Sequence, residues 1–495
     1  MGIHTGTLKL ETNEDRGRHF IATEPCNPGD VLISSHCYAK AVCPEFHGIV
    51  CEYCFTRSRS NTLLMRCSRC KSAYYCSTTC QKLDYQLHKL ECNTGSLSKL
   101  LNRTRDSAAV LALRILLRKD VPPLGLTNEG SFEDVLSLCS ADLLGSSSPS
   151  KIDHITSSVG HALPEHVSSS KIRKILKRIG CNAFTITNEE LVPLGAGMFP
   201  AASYANHSCT PNACFMFKGT QIALIAIKDI LEGEEVTVNY VPLIEPLSLR
   251  RENIRKHFNF ICRCDRCSEV EVSPEVLYDA VIEYQDEVEK NAGKFVDRSW
   301  VVVEALMQQV MCATCEGYGI LCRSGFYCPC AKPLVHPGFD RFNYLRTKGR
   351  HCVSQFKWGE AQVLFEEALT LVDTDSVVGS YHFELRLVLS DYADCCVNLC
   401  TWSQAAKVFT KLLDSARLVY PKRFPLIGVL KFARAKVMSL VDGEYGDKDI
   451  LNAFRTAHKG LCVTHKATCP QIVADCIKGL EEFTVAMRLK DDRKK

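Results

Sequence analysis

The chain has 495 residues, 46% of them hydrophobic and 23% charged, with a formal net charge of +4. That length accommodates several domains and that balance is the one of a soluble globular protein, while a charge so small and evenly spread gives no argument for a nucleic-acid footprint. The 29 cysteines are the most informative total, because many thiols in paired spacings point either to a disulfide framework or to metal sites.

In chain order, the start Met1-Gly-Ile-His-Thr-Gly has no apolar stretch of the signal-peptide kind, and position 6 is not the Ser or Thr that myristoylation needs. An intracellular chain is therefore expected, with its thiols on zinc rather than in disulfides. Pro28-Gly-Asp-Val-Leu-Ile33 predicts a turn followed by a strand. Residues 51–92 then carry Cys51-x2-Cys54, Cys67-x2-Cys70, Cys76-x3-Cys80 and His88-x3-Cys92. Two ligands three or four apart grip one ion from a single turn or helix face. Four such pairs predict two zinc ions, interleaved: Cys51, Cys54, Cys76 and Cys80 on one, Cys67, Cys70, His88 and Cys92 on the other. Metal binding then supplies the folding free energy that a segment with almost no apolar core lacks. Gln81–Leu90 reads as a short helix that aims His88 at the second ion.

Residues 93–180 hold two helical stretches, Ser98–Leu117 and Lys171–Ile179, and a Ser-rich linker at 146–150, and read as an insert that walls the substrate side. The best apolar run, Ala108–Leu117, is short and broken by Arg114, so no membrane span is expected. Ile222, Leu224 and Ala226 alternate along one strand, and Glu232-Gly-Glu-Glu-Val-Thr-Val238 repeats the turn-then-strand pattern. The first fifty residues and 181–240 thus form one β-rich domain split by the cysteine-rich segment. Within it lie Asn206-His207-Ser208-Cys209 and the strand Glu235–Tyr240, followed by Phe260-Ile-Cys-Arg-Cys-Asp-Arg-Cys267. Cys209 has no metal partner nearby in sequence, and Cys262, Cys264 and Cys267 are one ligand short of a tetrahedral set. Joined, the four make a closed Cys₄ site that ties the segment after Phe260 back onto the Asn-His loop, with a pocket between.

From about 270 onward the texture is helical. Trp358-x2-Ala361-x3-Phe365 recurs as Trp402-x2-Ala405-x3-Phe409, 44 residues later, and a weaker third copy begins near Tyr445. Large and small residues at i, i+3 and i+7 suit stacked helical hairpins; an ordinary helical bundle is the alternative. Cys312, Cys315, Cys322, Cys328 and Cys330 lie among Gly317, Gly319 and Gly325. A further zinc on Cys312, Cys315, Cys328 and Cys330 is one reading and free buried cysteines the other, and the spacing leaves both open.

The segments 206–209, 235–240 and 260–267 resemble the core and post-SET segment of SET-domain lysine methyltransferases. The eight ligands of 51–92, with Tyr74-Tyr75-Cys76 and the Cys80…His88…Cys92 tail, resemble a MYND zinc finger; the His-x3-Cys ending and short helix argue against a RING-type ubiquitin ligase. A MYND finger inserted into a SET domain is the mark of the SMYD family, which the chain resembles over nearly its whole length. That resemblance implies an α+β fold: a β-rich SET domain split by the finger, then an α-helical TPR-like C-terminal domain. The expected parts are 1–50 (first part of the SET domain), 51–92 (finger), 93–180 (helical insert), 181–245 (SET core), 246–268 (post-SET segment) and 269–495 (TPR-like domain, with the cysteine cluster at 312–330).

The resemblance further implies methyl transfer from S-adenosylmethionine to lysines of histone or non-histone proteins, hence a chromatin regulator of cytoplasm and nucleus, with three structural zinc ions and a fourth if 312–330 binds one. Tyr240 would orient the amine and the methyl group. Arg16, Gly17 and Arg18 resemble the N-terminal cofactor loop; Asn182, Asn206 and His207 match cofactor contacts; Phe260 would stack on the adenine. The expected partners are protein substrates with an exposed lysine, proline-containing peptides at the finger, and a chaperone or other protein at the TPR-like domain, with no membrane and a monomeric chain. Three departures stand out: His19 replaces the loop's usual second glycine, Phe258 stands where relatives often carry a second tyrosine, and residues 101–180 contain no tyrosine. The first two support an alternative, a zinc-dependent interaction adaptor that keeps the SET fold with weak turnover or none.

Overall fold

The computed structural model describes residues 6–58, 63–140, 149–290 and 299–492. The first five residues and Ser146–Ser148 of the expected linker lie outside the described residues, and Pro149 and Ser150 already open a helix, Pro149–Ala162.

The β-rich domain is assembled from small sheets. Leu8–Asn13 and Gly17–Ala22 form an antiparallel hairpin. Ala213–Lys218, Gln221–Ala226 and Val31–His36 form a second antiparallel sheet, and Ala39–Val42, Pro193–Met198 and Ala183–Thr187 a third. The turn joining Lys218 to Gln221 needs Gly219 twice over. Its φ is +58°, and a Cβ there would stand 2.7 Å from the Cys54 carbonyl oxygen, so the finger is seated directly on this turn.

The alternation expected for Ile222, Leu224 and Ala226 is not the burial that results. All five residues from Ile222 to Ala226 are buried, because the sheet is covered on both faces. Ala213, Leu224 and Ala226 join Phe20, Met198 and the Ser107–Leu117 helix in the core of the β-rich domain. Cys214, Met216, Ala223, Ile225 and Ile227 join Phe365, Tyr392 and Phe432 in the core of the C-terminal helices. A strand buried on both sides reads as a continuous apolar run, as Ile222–Ile227 does.

The expected strand Glu235–Tyr240 shrinks to Thr237–Val238, which runs parallel to Asn206–His207. The Asn212 side chain takes the place of a ladder partner: it accepts from the Thr237 amide at 2.8 Å and donates to the Glu235 carbonyl at 2.9 Å. In the insert, the single helix expected over 98–117 is two, Ser96–Leu101 and Ser107–Leu117. Asp106 separates them by capping the second through the Ala108 amide at 2.9 Å. The next expected helix is longer at both ends, Ser169–Asn182, and so runs past the expected boundary at 180. In the finger, Thr78–Cys92 is helical, capped by Ser77.

The C-terminal helices Gly338–Ser354, Trp358–Asp375, Phe383–Asn398, Trp402–Val419, Pro425–Met438, Asp447–Thr464 and Pro470–Asp492 each pack on the next in sequence, which is a stack of hairpins. Close helix approach rests on small residues facing rings. A Cβ on Gly349 would lie 2.5 Å from the Phe365 ring, and one on Gly479 2.6 Å from Phe454. That second pair lies in the weak third copy, whose helix starts at Asp447. No described helix is long and apolar enough to cross a membrane.

Ile225→Ala removes an aliphatic side chain from the face that the helices cover. It is expected to cost about 2–5 kcal/mol, read as a shift in the denaturant midpoint; a midpoint equal to wild type would mean that this face is not part of a packed core.

Candidate functional site

The structure gathers the expected metal ligands into the expected sets. Cys51, Cys54, Cys76 and Cys80 form one, and Cys67, Cys70, His88 and Cys92 another, with the ligand atoms of each set within 4.8 Å of one another. Cys54 and Cys76 sulfurs are 3.6 Å apart, Cys67 and Cys92 sulfurs 3.8 Å, and His88 Nε2 lies 3.5 Å from Cys70 Sγ. The His88 ring is held from behind by Glu91, 2.9 Å from Nδ1, which leaves Nε2 for the sulfurs. This is the usual support of a metal-bound imidazole, and the donor sets fit tetrahedral zinc. Burial opposes the charge on Glu91, but Arg114 and His88 hold its carboxyl down to about 2. Arg114, the charge that breaks the apolar run of the insert, pairs with both Glu91 and Glu52 at 3.0 Å and so fastens the finger to the insert.

Cys209 meets Cys262, Cys264 and Cys267 from across the fold, all sulfurs within 4.8 Å and Cys209 3.5 Å from Cys267. The surroundings fit a zinc tetrathiolate, whose net charge is negative. Two fully buried guanidiniums stand beside it, with Arg250 Nη2 at 3.8 Å from Cys267 Sγ. Arg250 also pairs with buried Glu304 at 3.3 Å. Arg266 donates to the Leu243 carbonyl, but its Nε and Nη2 have no hydrogen-bond partner among the described residues. One carboxylate does not balance two buried cations; the thiolates do.

His207 links this cluster to Tyr240. The Tyr240 amide donates to His207 Nδ1 at 2.9 Å, so Nδ1 carries no proton and Nε2–H points at Cys209 Sγ, 3.3 Å away. Burial lowers the His207 pKa to about 4, which keeps that neutral tautomer. Both ring nitrogens are thereby committed within the fold, and only the backbone of His207 is left for a ligand. The Tyr240 hydroxyl donates to the Ala205 carbonyl at 2.7 Å, and burial pushes its pKa up. Its ring lies 4.7 Å from Phe258 and 6.5 Å from Phe260.

Tyr240 lines a cleft of about 580 Å³ bounded by the Arg16–Arg18 loop, Asn182, Asn206, Phe258 and Phe260, a volume suited to a small-molecule site. Gly17 has φ +62° and open space where a Cβ would be. Arg16 pairs with Glu235 at 2.9 Å, and Asn206 donates to both the Arg16 carbonyl and Glu235. Arg18 lies 4.8 Å over the Tyr204 ring and donates to the Ser137 carbonyl at 2.7 Å. His19 is turned away from the cleft: it is 2% exposed and bonds the Gly17 carbonyl at 3.0 Å. Asn182 spends its side chain inside the fold, donating to the Cys139 and Arg178 carbonyls at 2.8 Å, and so fixes the cleft wall. Phe260 keeps 38% of its surface exposed, free to take a flat ring.

Several residues of the site carried no readable signal. Arg250, Arg266 and Glu304 look like ordinary helical charges in sequence. Tyr204, which the insert's lack of tyrosine did not suggest, supplies an aromatic wall from the segment before Asn206. Phe424 and Pro425 reach the cleft from the helical domain, and nothing in their spacing announces it. A smaller cavity of about 270 Å³ lies between the finger helix and the insert, lined by Tyr53, Leu87 and Arg118, away from Tyr240.

Comparison with known proteins agrees with this arrangement. Residues 51–92 match the MYND finger family. The chain is 33% identical over 270 residues to human N-lysine methyltransferase SMYD2, covering 53% of this chain and 60% of that protein. It is 30% identical over 316 residues to mouse histone-lysine N-methyltransferase SMYD3, covering 61% of this chain and 72% of that protein. The match thus spans less than two thirds of the SMYD2 relatives. The solved structure of Rubisco LSMT bound to AdoMet aligns over 98% of this chain and 89% of that chain, at 14% identity and a TM-score of 0.28, a likeness too slight to bear on the argument.

Glu304→Ala leaves Arg250 charged and buried with a lost partner. The expected cost is about 3–5 kcal/mol, together with faster zinc release to a chromogenic chelator. A variant with wild-type melting temperature and zinc retention would show that the ion pair does not support the cluster.

Proposed function

The chain belongs to the SMYD family, and from that premise we propose that it is an S-adenosylmethionine-dependent protein-lysine N-methyltransferase acting on histone or non-histone proteins. The observation that carries the reading is Tyr240: a phenol at the wall of the cleft, its hydroxyl pinned to the Ala205 carbonyl and its backbone to His207. When bound, S-adenosylmethionine supplies an electrophilic methyl group on a sulfonium. The residues suited to hold it are Arg16, Gly17, Arg18, Asn206 and the His207 backbone on one side and Phe260 on the other, with Asn182 as wall.

What the chain itself must do is prepare an amine. A free lysine holds its proton up to about pH 10.4. None of the described residues lining the cleft is a carboxylate; Phe215, Phe258, Tyr240 and Phe424 are among them. An ammonium group drawn between such walls loses its hydration without gaining a counter-ion, so burial favours the neutral, nucleophilic form. The Tyr240 oxygen, fixed by its own donated bond, keeps a lone pair for orienting the amine. Positioning of this kind, with water excluded, is where the rate comes from. Neither a metal in the cleft nor a covalent enzyme intermediate is needed, so the cysteine clusters act as structure.

Phe258 favours a second reading. A phenyl ring 4.7 Å from Tyr240, in place of a second hydroxyl, changes how the amine is held, and with it the final methylation state or the rate. In the limit it gives an adaptor that docks proteins and turns over weakly. His19 no longer supports that limit, since it leaves the cofactor loop open. We further propose that the finger docks proline-containing peptides, that the helical stack receives a chaperone or other protein partner, and that the chain works as a monomer in cytoplasm and nucleus.

Purified protein is expected to transfer a labelled methyl group from S-adenosylmethionine to lysine peptides. Tyr240→Phe should lower kcat by about a hundredfold while calorimetric binding of the cofactor persists. Equal rates in wild type and variant would remove the assigned role of Tyr240, and absence of binding heat in the wild type would leave only the adaptor.

A further inference from the structure

Outside the finger and the post-SET segment, Cys312, Cys315, Cys328 and Cys330 bring their sulfurs within 4.8 Å of one another. Cys312 and Cys330 sulfurs are 3.7 Å apart, and Cys315 and Cys328 sulfurs 3.5 Å. Proximity alone would also suit two disulfides or four thiols. The backbone discriminates.

The finger has two Cys-x2-Cys turns, and both have one geometry. The amide four residues after the first cysteine donates back to its carbonyl: Phe55 to Cys51 and Lys71 to Cys67, each at 3.0 Å. Phe55 and Lys71 both sit in the left-handed region, at φ +58° and +55°. The first cysteine's own amide closes the turn onto the Thr56 or Ala73 carbonyl, at 3.0 and 2.9 Å. The turn at Cys312 repeats every element. Glu316 donates to the Cys312 carbonyl at 2.9 Å, Glu316 has φ +58°, and the Cys312 amide donates to Gly317 at 2.8 Å. A left-handed non-glycine residue is strained and persists where the surroundings require it. Three such residues at one position after three Cys-x2-Cys pairs share one cause. The turn at Cys312 thus has the form of the two turns that present the finger's ligand pairs.

We propose that Cys312, Cys315, Cys328 and Cys330 form a fourth structural zinc site, independent of the finger and of the Cys209 cluster. The site sits at the edge of a small sheet, Gln309–Met311, Tyr318–Cys322 and Gly325–Tyr327, whose strands are too short to be stable unaided. That sheet is a junction. Met311 donates to the Val377 carbonyl and accepts from the His336 amide, and Gly379 donates to Gln309, so both the approach to the Gly338–Ser354 helix and the loop before the Phe383–Asn398 helix are tied to it. From its outer hairpin, Arg323 reaches Glu252 on the Leu247–Phe258 helix at 3.3 Å. The ion therefore rivets the first hairpin of the helical stack beside the post-SET segment. Cys322, the fifth thiol of the region, points away into the apolar cluster around Leu306 and Val281 and is not a ligand.

Metal content of the full-length protein, purified reduced and without chelator, tests this independently of any methyl transfer. Elemental mass spectrometry should find four zinc ions per wild-type chain. Cys315→Ser, which alters an exposed side chain, should leave three and lower the melting temperature; Cys322→Ser should keep four. Three ions in the wild type, an equal loss in both variants, or a denatured intact mass short of the hydrogens lost to two disulfides would each overturn the site.

Discussion

Most of what this chain can do depends on Cys209 reaching Cys262, Cys264 and Cys267. The two partners are more than fifty residues apart in sequence, and the segment after Phe258 has little apolar surface of its own to hold it. A shared ion changes the balance, because its binding free energy is available only when the crossing is made. The result is transmitted, not merely local. His207 stands between Cys209 Sγ and the Tyr240 amide, so the orientation of the phenol and the closure of the cluster are one geometric fact. The neutral tautomer of His207 serves both bonds at once, and protonation at Nδ1 would break the one to Tyr240.

Buried charge plays a complementary part where elements meet. Arg114 draws Glu52 and Glu91 of the finger to the insert, and Glu91 in turn orients His88. Arg250 and Glu304 join the post-SET helix to the first helices beyond it, beside the thiolates. Both networks are costly to bury and add little as isolated pairs. Beside the metal clusters they have another role: the Arg250 guanidinium offsets the excess negative charge of the Cys209 site and Glu304 fixes that guanidinium, while Glu91 holds the ring of His88 in the finger.

The metal sites and the general order of parts were legible because their signals are local or chemically restrictive. Four ligand pairs in some forty residues allow few arrangements, and three cysteines short of a fourth ligand direct attention to Cys209. Gly219, Asn212 and His19 show why other features were not legible. A glycine that admits the Cys54 carbonyl, an asparagine that substitutes for a strand partner and a histidine that turns inward are each set by neighbours distant in sequence. The strand at Ile222–Ala226 failed differently: its alternation suggested one wet face, while the uninterrupted apolar run already recorded two dry ones. Residues 312–330 were ambiguous for want of the one thing spacing does not encode, the left-handed turn at Glu316.

The doubly covered sheet also changes what the helical domain is for. Cys214, Met216, Ala223 and Ile225 put their side chains in the helical core, while Leu224 and Ala226 face the other way toward Phe20 and Met198. A domain docked so intimately is not a tethered module. It contributes Phe424 and Pro425 to the cleft itself, where the loop after the Trp402–Val419 helix enters the Pro425–Met438 helix. Under the proposed function, a peptide whose lysine enters the cleft would be accommodated by both domains together. Its selection is a property of how the stack is seated, which is why the junction around Gln309–Tyr327 matters to a site it does not touch.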